Sequence, residues 1–179
     1  MYELLILAGN HPDQSRWASE VSSSFSSLFS QIWIHQYKHW NDSQLNGIDL
    51  SFELEELKSA NKISEISVIF GKSAGVILAF MAYYQRIISP SCAILVGTPL
   101  HWARKKDMPI DEWLRDVKIS ALYIQNELDP VCSADELLQA LPISSDSKCD
   151  LVKLDGSSHD YEDLDLLRET IAIFLDRIN

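Results

Sequence analysis

The chain has 179 residues, the length of one domain, and its 46% hydrophobic and 23% charged residues are ordinary for a soluble globular protein. Fifteen basic residues face 26 acidic ones, and the net charge of -11 argues against a nucleic-acid footprint and against docking on anionic lipid. The cysteines, Cys92, Cys132 and Cys149, are odd in number and lack metal-motif spacing, so reduced thiols in a cytoplasmic protein are expected.

The N-terminus, Met1-Tyr2-Glu3-Leu4, has no positively charged leader and reads directly as a strand. The first apolar run, Leu4 to Ala8, stops at Gly9-Asn10. Ser15 to Phe29 places Trp17, Val21, Phe25, Leu28 and Phe29 at helical spacing, and Gln31 to His35 forms a second run. Phe52 to Ser59 is a short helix candidate, and Ile66 to Phe70 is a third strand that stops at Gly71. Gly75 to Ile88 is an apolar helix that ends before Ser89-Pro90, as the restriction on residues preceding proline requires. Ala93 to Val96 stops at Gly97-Thr98-Pro99, Asp111 to Val117 is helical, and Ser120 to Ile124 leads into a polar loop. Ala134 to Leu141 is a helix before Pro142, Leu151 to Leu154 is the sixth strand, and Tyr161 to Ile178 is an amphipathic last helix. No run reaches the length of a membrane span.

The strand candidates are continuous apolar runs rather than alternations, the pattern of strands buried on both faces. Strands and helices alternate over residues 1–179, with no repeat and no linker. The expectation is a single α/β domain, a three-layer α/β/α sandwich with about six mainly parallel strands.

Gly71-Lys72-Ser73-Ala74-Gly75 matches G-x-S-x-G between a strand and a helix, the context in which that pattern forms a nucleophile elbow. The sharp turn lifts the Ser73 hydroxyl clear of the sheet, and side chains two residues to either side would collide. An ordinary tight turn into a buried helix would carry the same letters. A phosphate-binding loop would need glycine where Ile66 stands, so nucleotide binding is excluded on motif logic.

A serine needs a base to take its proton. Of five histidines, His159 lies in Asp155-Gly156-Ser157-Ser158-His159, between the last strand and the last helix. That loop is at the C-terminal end of a parallel sheet, where ligands bind in open α/β folds. Asp129, after the fifth strand, is the candidate acid to orient the imidazole; Glu127 is its rival, and an Asp129-Pro130 turn is the plain alternative. His11 and His101 follow the first and fourth strands and are candidates for substrate contact or plain surface residues. His35 and His39 read as structural.

These pieces, in the order Ser, Asp, His, resemble the α/β-hydrolase superfamily over essentially the whole chain, and are most similar to its small dienelactone-hydrolase-like and carboxylesterase-like members. Dienelactone hydrolases carry cysteine at the elbow, where this chain has Ser73. The resemblance implies an oxyanion hole of two backbone amides, those of Ala74 and Asn10, although Ala8 stands where many relatives have histidine before the glycine. It implies a first strand equivalent to the third of the usual fold. It also implies a minimal lid in Thr98 to Lys118, where Trp102, Met108 and Trp113 form either an acyl-binding wall or the packing of a connecting helix. The implied activity is hydrolysis of a small-molecule carboxylic ester or thioester through an acyl-enzyme, with no metal and no organic cofactor. A peptidase, an acyltransferase or a non-catalytic binding protein on the same fold are the alternatives.

Overall fold

A computed structural model describes residues 2–42, 44–60, 63–142 and 148–178. Met1, read above with the first strand, lies outside them. Six strands form one sheet: β1 (Tyr2–Leu7), β2 (Phe29–Ile34), β3 (Val68–Lys72), β4 (Cys92–Val96), β5 (Ser120–Asn126) and β6 (Cys149–Leu154). All neighbours are parallel, in the order β2-β1-β3-β4-β5-β6. The helices are α1 (Gln14–Phe25), α2 (Leu50–Ser59), α3 (Ala74–Tyr84), α4 (Leu100–Lys105), α5 (Ile110–Asp116), α6 (Ala134–Ala140) and α7 (Leu164–Ile178). This is the expected three-layer α/β sandwich.

Strand alternation sorts the core into two faces. Leu4 and Ile6 of β1 pack with Trp17 and Val21 of α1 and with Ile171 and Phe174 of α7. Leu5 and Leu7 belong to the opposite face, with Leu54 and Leu57 of α2, the apolar α3, and Leu100, Leu114 and Leu137 of α4, α5 and α6. The apolar character of α3 on all sides follows from its position, since Ala74 to Phe80 and Ala82 are all buried. No helix among the described residues is long and apolar enough to cross a membrane.

Several boundaries differ from the expected ones, and four of the differences have a local cause. α1 stops at Phe25, because Phe29 enters the sheet opposite Tyr2. β3 runs on through Gly71 and Lys72, which pair with Leu95 and Val96, so the strand carries the chain into the motif. α3 stops at Tyr84, with Arg86 in the left-handed region at φ 59°. α7 begins at Leu164, because Tyr161 is held at φ 55°, outside helical geometry. The segment from Thr98 to Lys118 holds two short helices, α4 and α5, where one was expected.

The connections place the site. The chain leaves β1, steps outward to β2, and returns past β1 to β3. Loops after β1 and β3 therefore diverge to opposite faces, and a crevice opens at the C-terminal ends of these strands.

Candidate active site

Ser73 stands between β3 and α3 with φ 53° and ψ -120°, a conformation that costs a residue other than glycine about 1–3 kcal/mol. Its surroundings hold it there. The Ser73 amide donates to the Val96 carbonyl at the end of β4, 3.0 Å away. At residue 75 a Cβ atom would lie 1.8 Å from the Leu7 carbonyl oxygen, so only glycine lets α3 start this close to β1. A Cβ at residue 71 would meet the Gly75 carbonyl oxygen at 2.9 Å. The elbow glycines are thus required by backbone approach.

The His159 Nε2 atom lies 2.9 Å from Ser73 Oγ, and its Nδ1 lies 2.8 Å and 3.0 Å from the two carboxylate oxygens of Asp129. An ionised carboxylate only accepts, so Nδ1 carries the ring proton and Nε2 is left to accept from the serine hydroxyl. Burial pushes the Asp129 carboxyl up, but hydrogen bonds from His159, Tyr161 and the Val131 amide outweigh it and hold the group below its ordinary value. The Tyr161 hydroxyl donates to Asp129 Oδ2 at 2.7 Å and accepts from the Asn126 amide at 2.9 Å. Asn126 Nδ2 donates to the Ser158 carbonyl at 2.8 Å, fixing the loop that carries His159. Gly97, at φ 59°, admits the imidazole: a Cβ there would lie 2.8 Å from the Tyr161 ring and 3.0 Å from His159 Cε1. Glu127 is exposed, and Asp129 is the carboxylate in contact with His159.

The loop after β1 is held from below. The Tyr37 hydroxyl donates to the Ala8 carbonyl at 3.0 Å, and His39 Nε2 donates to the Asn10 carbonyl at 2.5 Å. Asn10 Oδ1 accepts from the Ile48 amide at 2.6 Å. Lys72 turns away from the serine and donates from Nζ to Gln14 Oε1 at 3.0 Å, above the Trp17 ring. The Ala74 amide is at the first turn of α3, where helical amides have no acceptor within the helix.

Asn10, Ser73, Ala74 and His159 line one cavity of about 370 Å³, with Asn46, Gly47 and Ile48 on one side and Pro99, Trp102, Lys106 and Val131 on the other. Of the three candidate contact residues, Trp102 lies in this wall. His101 is turned toward α6, 3.1 Å from Glu136, because consecutive side chains on a helix point about 100° apart. His11 is exposed and lines a separate hollow, where its Nδ1 accepts from the Asp13 amide. Trp113 packs on Phe80 and Tyr84, so it belongs to the core face. His35 is bound to Glu53 at 2.8 Å, away from the cavity.

The three cysteines are buried and form no disulfide among the described residues, and burial pushes the Cys92 and Cys132 thiols up to about 12. Among the described residues no group of three or more His, Cys, Asp or Glu side chains is arranged to hold a metal ion. His39, expected to be structural, is buried and holds the Asn10 carbonyl, while the parts played by Tyr161 and Gly97 were missed. Only Gly97 carried a local signal, as a glycine closing a strand.

Solved structures share this architecture. A CIB-like hydrolase from Thermoplasma acidophilum superposes with a TM-score of 0.73 at 18% identity, over 97% of this chain and 86% of its own. Est1E from Butyrivibrio proteoclasticus, with ferulic acid bound, gives 0.69 at 14% identity, over 99% and 89%. Dienelactone hydrolase from Anabaena variabilis gives 0.67 at 15% identity, over 99% and 86%. No curated protein matches the chain significantly. The family described as an alpha/beta hydrolase domain matches residues 35–177, which begin just after β2, run into α7 and include Ser73, Asp129 and His159. The chain therefore belongs to the alpha/beta hydrolase domain family.

Proposed function

We propose that the protein is a serine hydrolase of small-molecule carboxylic esters or thioesters. The observation that carries this reading is the hydrogen-bonded chain from Asp129 through His159 to Ser73, opening on a cavity beside the Asn10 and Ala74 amides. In this reading Ser73 Oγ attacks the acyl carbonyl while its proton passes to His159 Nε2. The carbonyl oxygen becomes an oxyanion, accepted by the Asn10 and Ala74 amides near the positive end of α3. Collapse of the intermediate breaks the bond to the leaving oxygen or sulfur, which takes the proton from His159. Water then attacks the Ser73 ester with His159 as base, a second oxyanion forms and collapses, and the acid leaves with Ser73 restored. Asp129 keeps the ring tautomer and stabilises the imidazolium in both halves. Similarity to Est1E and dienelactone hydrolase supports an acyl substrate.

A fluorophosphonate probe tests the reading directly. The expected result is covalent labelling of the natural protein and none of Ser73→Ala. On a panel of p-nitrophenyl esters and thioesters, Ser73→Ala and His159→Gln each lower kcat by at least about a thousandfold. Equal labelling of natural and Ser73→Ala protein overturns the proposal and leaves a binding protein on a hydrolase fold. Faster turnover of aminopeptide substrates would instead assign a peptidase.

A further inference from the structure

The cavity above Ser73 differs in charge from the rest of the molecule. Acidic residues outnumber basic ones by 26 to 15 over the chain. The neighbouring hollow beside α1 follows that balance, with Asp13, Glu20, Asp160 and Glu162 in its lining. The cavity that holds Ser73 has no Asp or Glu among its described lining residues, and Lys106 is its one Lys or Arg. No carboxylate among the described residues pairs with Lys106, whereas Arg104, two residues earlier, is paired with Asp111. The Lys106 amide, just past the end of α4, donates to the Trp102 carbonyl at 3.1 Å, one helical turn back, so Trp102 and Lys106 lie on one side of the helix end and both reach the cavity wall. The wall therefore offers a flat apolar surface followed by a cation with no carboxylate partner among the described residues.

We infer that the substrate is an anionic ester or thioester, with an apolar or aromatic body against Trp102 and a carboxylate or phosphate held by Lys106. This rests on the hydrolase reading and names its substrate class. An exposed ammonium with no carboxylate partner among the described residues attracts such a group without first losing an existing ion pair, and its exposure leaves the attraction open to screening by salt. The alternative of a neutral substrate leaves Lys106 with no role in selection.

Matched ester pairs separate the two. p-Nitrophenyl hemiadipate against p-nitrophenyl hexanoate places the charge on the acyl side; carboxyphenyl acetate and phenylphosphate acetate against phenyl acetate place it on the alcohol side. The expected result is that kcat/KM favours the anionic member of at least one pair by about tenfold or more. That ratio collapses in Lys106→Met, inverts in Lys106→Glu, and persists in Lys105→Met, which removes an equal charge next to the cavity. Added salt lowers the ratio in the natural protein, a readout that needs no variant. Carboxylate preferred over phosphate, or the reverse, identifies the anion. A ratio that is the same in the natural protein and Lys106→Met overturns the inference. So does hydrolysis of the neutral esters with no anionic preference, in which case the hydrolase reading stands. Cleavage of none of the esters also overturns it, and fluorophosphonate labelling of Ser73 then decides whether the hydrolase reading falls with it.

Discussion

The Asn10 peptide is held by residues that never reach the cavity. His39 is buried, donates from Nε2 to the Asn10 carbonyl at 2.5 Å, and stacks on Tyr37, whose hydroxyl holds the Ala8 carbonyl. Its Nδ1 has no hydrogen-bond partner among the described residues, so the ring contributes one directed donor. In the proposed reading the Asn10 amide meets the developing oxyanion; a donor on the carbonyl of the same residue restrains the backbone bonds that aim that amide, and loosening it weakens the transition state more than substrate binding. His39→Phe is expected to lower kcat by about tenfold with a smaller change in KM, and His39→Gln, which keeps an N–H donor, to recover part of that loss. Steady-state kinetics on one ester decides this. An equal fall in kcat for Phe and Gln would assign His39 to packing alone.

Among the elements, α3 and β1 are the pair on which the site depends. They approach so closely at Gly75 that the Leu7 and Ala8 carbonyl oxygens occupy the space of a side chain. That approach brings the Ala74 amide beside the Asn10 loop. Gly75→Ala forces the helix off the strand, and backbone cannot yield as a flexible side chain does. The expected cost is more than about 3 kcal/mol, read as a lower urea midpoint, and an unchanged midpoint would refute the argument. The turn into α7 is the second such element. Trp17 Nε1 donates to the Tyr161 carbonyl at 3.2 Å, and the Tyr161 hydroxyl holds Asp129, so the residue read as the start of a helix instead joins α1 to the loop after β5. Amphipathic spacing alone extends the helix back to Tyr161, because periodicity records only which side chains are apolar.

For the whole molecule, the folding equilibrium should record Lys72. Burial pushes its ammonium down to about 8, against the opposing pull of Asp160 and Asp129. Between that value and the ordinary lysine value of about 10.4, the unfolded chain binds a proton that the folded chain does not. This group therefore makes the protein more stable as pH rises through that window, and its full penalty is present below about 8. Lys72→Met removes the penalty. The stability difference between Lys72→Met and the natural protein should be largest near neutrality and shrink from about pH 8 to about pH 10.4. Urea unfolding of both proteins over that range measures it; a constant difference would show that folding leaves the proton affinity of Lys72 unchanged.

Six strands and the elbow could be read from the chain because each rests on local rules. Continuous apolar runs mark strands covered on both faces, and G-x-S-x-G between a strand and a helix states a steric requirement within five residues. The loops carrying Asp129 and His159 were legible from their order along the chain. The contacts of His39 and Tyr161 and the place of Lys106 in the cavity wall were not, nor was the turning of His101 away from the cavity. Each depends on a partner far away in sequence, or on the rotation of a short helix about its own axis. Such facts arise when strands separated by whole crossovers are brought side by side, and no pattern within either segment encodes them.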